Sequence, residues 1–204
     1  TAGVGTNNTA RTINLTRRAL EVGADAGLII APYYNKPTQE GLIAHCEAVT
    51  NAVPELPLML YNVPSRTGIS FSIQTLRRLS KRPSIVAVKE ASADLGFVTK
   101  LIAECGHDLE VLSGDDITAL PLWSVGGKGV VSVASNLVPA RIKALWDAYR
   151  MGDMTGAQRQ HLALHSLFDG LFIETNPSPI KALMHLYGGV GDGAVRLPLT
   201  AIAE

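Results

Sequence analysis

The sequence predicts an α/β chain of parallel strands with helices between them, and two observations carry that prediction. Short apolar runs recur every ~20–30 residues, each followed by an amphipathic stretch, which is the cadence of a (β/α) barrel. The runs are mostly continuous rather than alternating, as expected of parallel strands buried on both faces. A doubly wound open sheet shares both features and is the alternative architecture.

The strand candidates are residues 27–31, 58–61, 85–89, 109–113 and 129–133, and residues 1–5 read as the end of another. Helical patterns fill the gaps at 9–22, 38–53, 72–79, 95–104, 117–125, 136–150 and 155–171, with a short helix after Pro179. In the first of these, Ala10, Ile13, Leu15, Ala19 and Leu20 form the apolar side and Arg11, Arg17 and Arg18 the polar one. Thr38 opens the second with half of a capping box, because the third residue on is Gly41 rather than Glu. Pro32, Pro57, Pro64, Pro83 and Pro121 fall at element boundaries, where proline is tolerated.

An eight-stranded barrel takes about 250 residues. Five strands and a stub in 204 residues therefore read as an incomplete (β/α)8 TIM barrel whose first two strand-helix units precede residue 1. The expected organisation is a partial barrel over 1–135, then the last barrel helix and a C-terminal helical region over 136–204.

Composition narrows the class. Lys plus Arg and Asp plus Glu both number 18, so the formal net charge is zero and nothing draws the chain to nucleic acid or an anionic membrane. No apolar stretch approaches the ~20 residues that cross a bilayer. Cys46 and Cys105 are far apart and in no CxxC pair, so no disulfide framework is expected and a reducing cytoplasm is the simplest setting.

In a parallel barrel, chemistry gathers where strands end. The runs here end in Pro32-Tyr33-Tyr34-Asn35, Tyr61 to Gly68, Lys89-Glu90-Ala91-Ser92, Ser113-Gly114-Asp115-Asp116 and Val131-Ser132. Lys89 directly follows Ile85-Val86-Ala87-Val88, at the tip of a buried strand. Desolvation there favours the neutral amine, which attacks a ketone to form a Schiff base. The plainer reading is a strand-end lysine paired with Glu90 or another carboxylate. Tyr61 ends the preceding strand and suits a proton shuttle, or else is a core tyrosine with its hydroxyl satisfied locally. Arg66 sits in a turn bracketed by Pro64 and Gly68 that would aim a guanidinium at a carboxylate, or else it is a solvated loop arginine. Tyr33 and Tyr34 suggest a contact surface, or ordinary loop packing.

Several segments together resemble the dihydrodipicolinate synthase family of pyruvate-dependent Schiff-base lyases. They are Ala31-Pro-Tyr-Tyr-Asn-Lys-Pro, Gln39-Glu-Gly, Leu60-Tyr-Asn-Val-Pro-Ser-Arg-Thr-Gly, Val88-Lys-Glu-Ala-Ser, Leu112-Ser-Gly-Asp-Asp, Gly126-Gly-Lys-Gly-Val-Val-Ser, Asn176-Pro-Ser-Pro-Ile-Lys and Arg196-Leu-Pro-Leu. The resemblance implies a condensation of pyruvate with L-aspartate 4-semialdehyde, giving 4-hydroxy-tetrahydrodipicolinate for lysine and diaminopimelate synthesis. It implies that Lys89 forms the imine and that Tyr61 relays protons. Tyr34 resembles the relay tyrosine lent across a dimer interface. Arg66 would receive the carboxylate of the semialdehyde, and Val131 and Gly114 would border pyruvate. No cofactor or metal is expected, since the lysine is the electron sink. A homo-oligomer, a dimer of dimers, is implied.

Two departures matter. The family's early Gly-Thr-Thr-Gly-Glu motif is absent, so an inactive truncated fragment is one alternative. Lysine-inhibited members carry a carboxylate where this chain has Arg11, so Asn7 and Tyr33 fit a lysine site but feedback inhibition is expected to be weak or absent. The enzyme alternative is a sugar-acid lyase, against which Ser65-Arg66-Thr67-Gly68 speaks. Gly126-Gly127-Lys128-Gly129 precedes a strand and reads as a helix-to-strand turn rather than a phosphate loop. His161 and His165 read as a solvated helical face rather than a metal site, and Asp115 as the cap of the next helix.

Overall fold

The computed structural model describes residues 1–203. It divides into two units, residues 1–114 with 121–130, and residues 115–120 with those from 131 on.

The first unit is a parallel sheet. Its strands are β1 (Ala2–Gly3), β2 (Gly27–Ile30), β3 (Leu58–Asn62), β4 (Ile85–Glu90), β5 (Glu110–Ser113) and β6 (Gly129–Val130). They lie in consecutive order, every neighbour parallel. A doubly wound sheet would reverse its order at a switch point. Consecutive order is that of a (β/α) barrel, and the chain carries six of its strands among the described residues.

Between the strands run α1 (Thr9–Glu21), α2 (Gln39–Ala52), α3 (Pro64–Thr67), α4 (Ile73–Leu79), α5 (Leu95–Cys105) and α6 (Ala119–Ser124). The N-termini of α1, α2, α4 and α5 are capped by side chains that accept otherwise unpaired N–H groups: Asn8 from Arg11, Thr38 from Gly41, Ser72 from Thr75 and Asp94 from Phe97. The core between sheet and helices holds Ile29, Leu58, Leu60 and Val88 with Leu42, Leu76 and Leu101, all fully buried. Leu28, Ile30, Met59, Tyr61, Lys89 and Leu112 alternate with the core residues of the strands and are half-buried, so the two faces differ sharply.

Several expectations need correction. On α1 the buried stripe is Thr12, Thr16 and Ala19, while Leu15 and Leu20 are exposed. The threonines tolerate burial because their hydroxyls are satisfied locally: Thr6 N–H donates to Thr12 Oγ1, and Thr16 Oγ1 donates to the Thr12 carbonyl. The first strand stops at Gly3 because the N–H groups of Val4 and Gly5 both converge on the Leu28 carbonyl. Gly5 lies so close to β2 that a Cβ would stand 2.4 Å from Ile30 N. Pro64 to Gly68 is a one-turn helix closed by left-handed Gly68, rather than a simple turn. The loop 126–128 is the expected helix-to-strand turn, with Gly126 at φ 112°.

The second unit holds α7 (Pro139–Arg150), α8 (Met154–Gly170) and α9 (Ser178–Gly188). The strand expected to reach residue 133 ends at Val130. The N–H groups of Val133 and Ala134 donate to the buried Asp116 carboxylate at 2.8 and 2.9 Å, so they cannot join a ladder. Helix α7 starts at Pro139 rather than residue 136, because proline holds Val138 out of the helical region. Asp115 does not cap α6. Its carboxylate takes the Ile117 N–H and the Thr118 hydroxyl in the turn before that helix. On α8, Asp153 supplies the cap and His165 pairs with Asp169 at 3.4 Å.

Candidate active site

Polar side chains collect where β2, β3, β4 and β5 end. Ile30, Tyr61, Lys89 and Leu112 are register partners across the four strands. Tyr61 and Lys89 therefore share the half-buried face, and Lys89 Nζ lies 4.0 Å from the centroid of the Tyr61 ring. Burial pushes the Tyr61 phenol up from its ordinary value, with Arg66 opposing, so the hydroxyl keeps its proton through neutral pH.

This pairing depends on an irregularity in the sheet. Leu58 pairs with Ile85, yet the next residue, Met59, pairs with Ala87. Val86 is the extra residue, 39% exposed, and from there every partner on β4 moves on by one. In an unbroken ladder Val88 would face Tyr61. The bulge puts Lys89 there instead.

Gly114 follows β5 directly. A Cβ on it would stand 2.7 Å from Ala91 Cβ and 2.9 Å from Lys89 Cε, so only glycine leaves the lysine stem its place. Arg66 is exposed on α3, held by its N–H to the Val63 carbonyl at 3.0 Å. The loop after β2 approaches the same segment, where Lys36 lies against Gly68.

Tyr34 sits in that loop at φ 71° and 89% exposed. Asn35 N–H donates to the Tyr33 carbonyl at 2.9 Å across it, which closes a three-residue turn of the rare positive-φ kind. So exposed, Tyr34 is not packed into the Tyr61–Lys89 pair. Val131, half-buried, lies just past β6 in the second unit.

Gln39 and Asn62 carried no role in the sequence, and Glu90 was named there only as a partner for Lys89, whereas its oxygens take the Asn62 amide and the Ser92 N–H. Gln39 holds the segment after Arg66, donating to the Ser70 carbonyl and accepting from Ser72 N–H and Thr75 Oγ1. Asn62 and Glu90, the residues after Tyr61 and Lys89, are hydrogen-bonded to each other and fully buried. Burial pushes the Glu90 carboxyl up, and hydrogen bonds from Ser92 and Asn62 pull it back. A polar pair at the end of two apolar runs was the available signal. Among the described residues, no group of three His, Cys, Asp or Glu side chains is placed to hold a metal, and no helix is long and apolar enough to cross a membrane.

A consecutive parallel sheet with its polar groups gathered at the strand ends is the layout of a (β/α)-barrel enzyme. The sequence profile described as "Dihydrodipicolinate synthetase family" matches residues 1–204, and the chain belongs to that family. A relative from Nitratidesulfovibrio vulgaris strain DP4, named 4-hydroxy-tetrahydrodipicolinate synthase, is 48% identical over 204 residues, spanning 100% of this chain and 69% of its own. The crystal structure of dihydrodipicolinate synthase from Aquifex aeolicus superposes with a TM-score of 0.95 at 42% identity, over 99% of this chain and 69% of that one. The chloride-inhibited synthase from Acinetobacter baumannii, complexed with pyruvate, matches at a TM-score of 0.95 and 43% identity, over 100% of this chain and 69% of that one.

Proposed function

We propose that these residues carry the site of a 4-hydroxy-tetrahydrodipicolinate synthase in which Lys89 forms a Schiff base with pyruvate. The observation that carries the reading is the placement of Lys89 Nζ 4.0 Å from the Tyr61 ring, at the ends of adjacent parallel strands. The family membership and the pyruvate-bound relative support the substrate.

The Lys89 amine adds to the ketone carbon of pyruvate, and water leaves as the imine forms. The protonated imine draws electrons from the methyl group, which loses a proton to give an enamine. The enamine carbon attacks the aldehyde of L-aspartate 4-semialdehyde. The amino group of that substrate then adds to the imine carbon and displaces Lys89, closing the ring. Tyr61, whose burial keeps its phenol protonated, moves protons to and from these intermediates.

Arg66 is assigned to the carboxylate of the semialdehyde, a role suited to an exposed guanidinium on a short, pinned turn. Gly114 is assigned to the border of bound pyruvate, consistent with its approach to the Lys89 stem. The assignment of Val131 rests on resemblance alone. Tyr34 is assigned to a neighbouring subunit's relay. Its exposure and its constrained turn support an aromatic presented outward, and the role requires at least a dimer.

The test is a choice of second substrate. With pyruvate present, the complete protein is expected to consume L-aspartate semialdehyde and to leave 2-keto-3-deoxy sugar acids uncleaved. Cleavage of the sugar acids with no turnover of the semialdehyde would overturn the assignment.

A further inference from the structure

On the helix-covered face of the sheet, directly behind the Lys89–Tyr61 pair, the next residues of the same two strands meet. Asn62 and Glu90 are register partners, 1% and 2% exposed. Asn62 Nδ2 donates to Glu90 Oε2 at 2.7 Å, and Ser92 N–H donates to Glu90 Oε1 at 2.6 Å. Phe71 N–H donates to Asn62 Oδ1 at 3.1 Å. A carboxylate this deep is costly unless its oxygens are satisfied. Nothing in the reaction above uses it.

We propose that Asn62 and Glu90 form a positioning latch. It locks the bulged register of β3 on β4 so that Lys89 stands opposite Tyr61, and through Phe71 it fixes the far end of the segment that carries Arg66. The proposal rests on Lys89 being the imine-forming residue. Counted from Leu58 and Ile85 without the bulge, Val88 would face Tyr61 and Lys89 would face Asn62. Only the shifted register brings an amide against a carboxylate on the buried face and the lysine against the phenol on the other.

The donors and acceptors admit one arrangement. The Phe71 and Ser92 N–H groups can only donate. Asn62 must therefore turn its oxygen to Phe71 and its nitrogen to Glu90. Both carboxylate oxygens then face donors. Glu90→Gln keeps the shape but sets an NH2 group against another donor. Asn62→Asp sets two carboxylates against each other. Made together, the two exchanges restore these three bonds: the new carboxylate accepts from Phe71 N–H and from the new amide, whose oxygen accepts from Ser92 N–H.

The test compares the complete protein with both single variants and the double Asn62→Asp/Glu90→Gln variant, at temperatures where each is folded. Hydrogen exchange at the Phe71 and Ser92 amides reads the latch without substrate. The rate of borohydride-trapped pyruvyl adduct on Lys89 reads positioning. Each single variant is expected to speed exchange at both amides and slow adduct formation by roughly ten- to a hundredfold, the equivalent of one unsatisfied buried group. The double variant is expected to recover both.

Faster exchange with an unchanged adduct rate would make the pair merely structural and overturn the proposal, as would a double variant no better than the singles. If a single variant does not fold, a folded double variant with parent-like exchange supports the latch, and an unfolded one overturns it. A parent protein that takes no adduct defeats the reading of Lys89, while the exchange data still decide whether the pair locks the register.

Discussion

Gly114 makes room for Lys89. A methyl group added at Gly114 would lie 2.7 Å from Ala91 Cβ and 2.9 Å from Lys89 Cε, distances at which something must shift, and 3.1 Å from Lys89 Cγ, a tight contact. Gly114→Ala is expected to displace the lysine stem and slow Schiff-base formation by at least about tenfold, with an overpacking cost of ~1–3 kcal/mol in stability. Single-turnover trapping of pyruvate, beside a melting curve, checks both.

Tyr61→Phe keeps the ring beneath Lys89 Nζ and removes the hydroxyl. If the phenol moves protons during imine formation, the variant is expected to lose roughly 10²–10⁴ in kcat while staying folded. A loss of pyruvate binding with kcat unchanged would assign the ring to packing instead.

Arg66 is expected to act chiefly on the second substrate, and on the pyruvate step only through its pull on the Tyr61 phenol. Arg66→Ala should raise KM for aspartate semialdehyde by roughly ten- to a hundredfold, the value of a charge-assisted hydrogen bond, and change pyruvate trapping on Lys89 far less. Steady-state kinetics with each substrate varied in turn separates the two.

His45 on α2 is buried, with Nδ1 2.9 Å from Thr9 Oγ1 and Nε2 without a partner among the described residues. Burial lowers its pKa from the ordinary 6.5. A base whose folded pKa is depressed stabilises the fold above its unfolded pKa, and that contribution is lost as pH falls through the folded value. The melting temperature is therefore expected to fall as pH drops below about 6.5, and His45→Gln should flatten that fall. An identical slope in the variant would assign the acid limb to other groups.

The strand-end lysine and tyrosine were legible because an unbroken apolar run announces both the strand and where it stops. Ile85-Val86-Ala87-Val88 pointed to Lys89 without any knowledge of its neighbours. The bulge at Val86 was not legible. It leaves no mark in a run of uniformly apolar residues, yet it decides which side chain faces Tyr61. The partners of Asn62 and Glu90 were hidden for the same reason, since they follow from register and from backbone N–H groups at Phe71 and Ser92. On α1 the apolar residues misled. Thr12 and Thr16 take the buried stripe once their hydroxyls find local partners, and no periodicity of hydrophobic residues encodes that. The β6 boundary depended on Asp116, distant in sequence from the N–H groups it binds.

The reading of Lys89 is tested most directly by treating the protein with pyruvate and borohydride, then mapping the modified peptide by mass. A reduced pyruvyl adduct on Lys89, absent from Lys89→Ala, is the predicted result. A folded protein that acquires no adduct, or acquires it on another lysine, would contradict the Schiff-base site placed here.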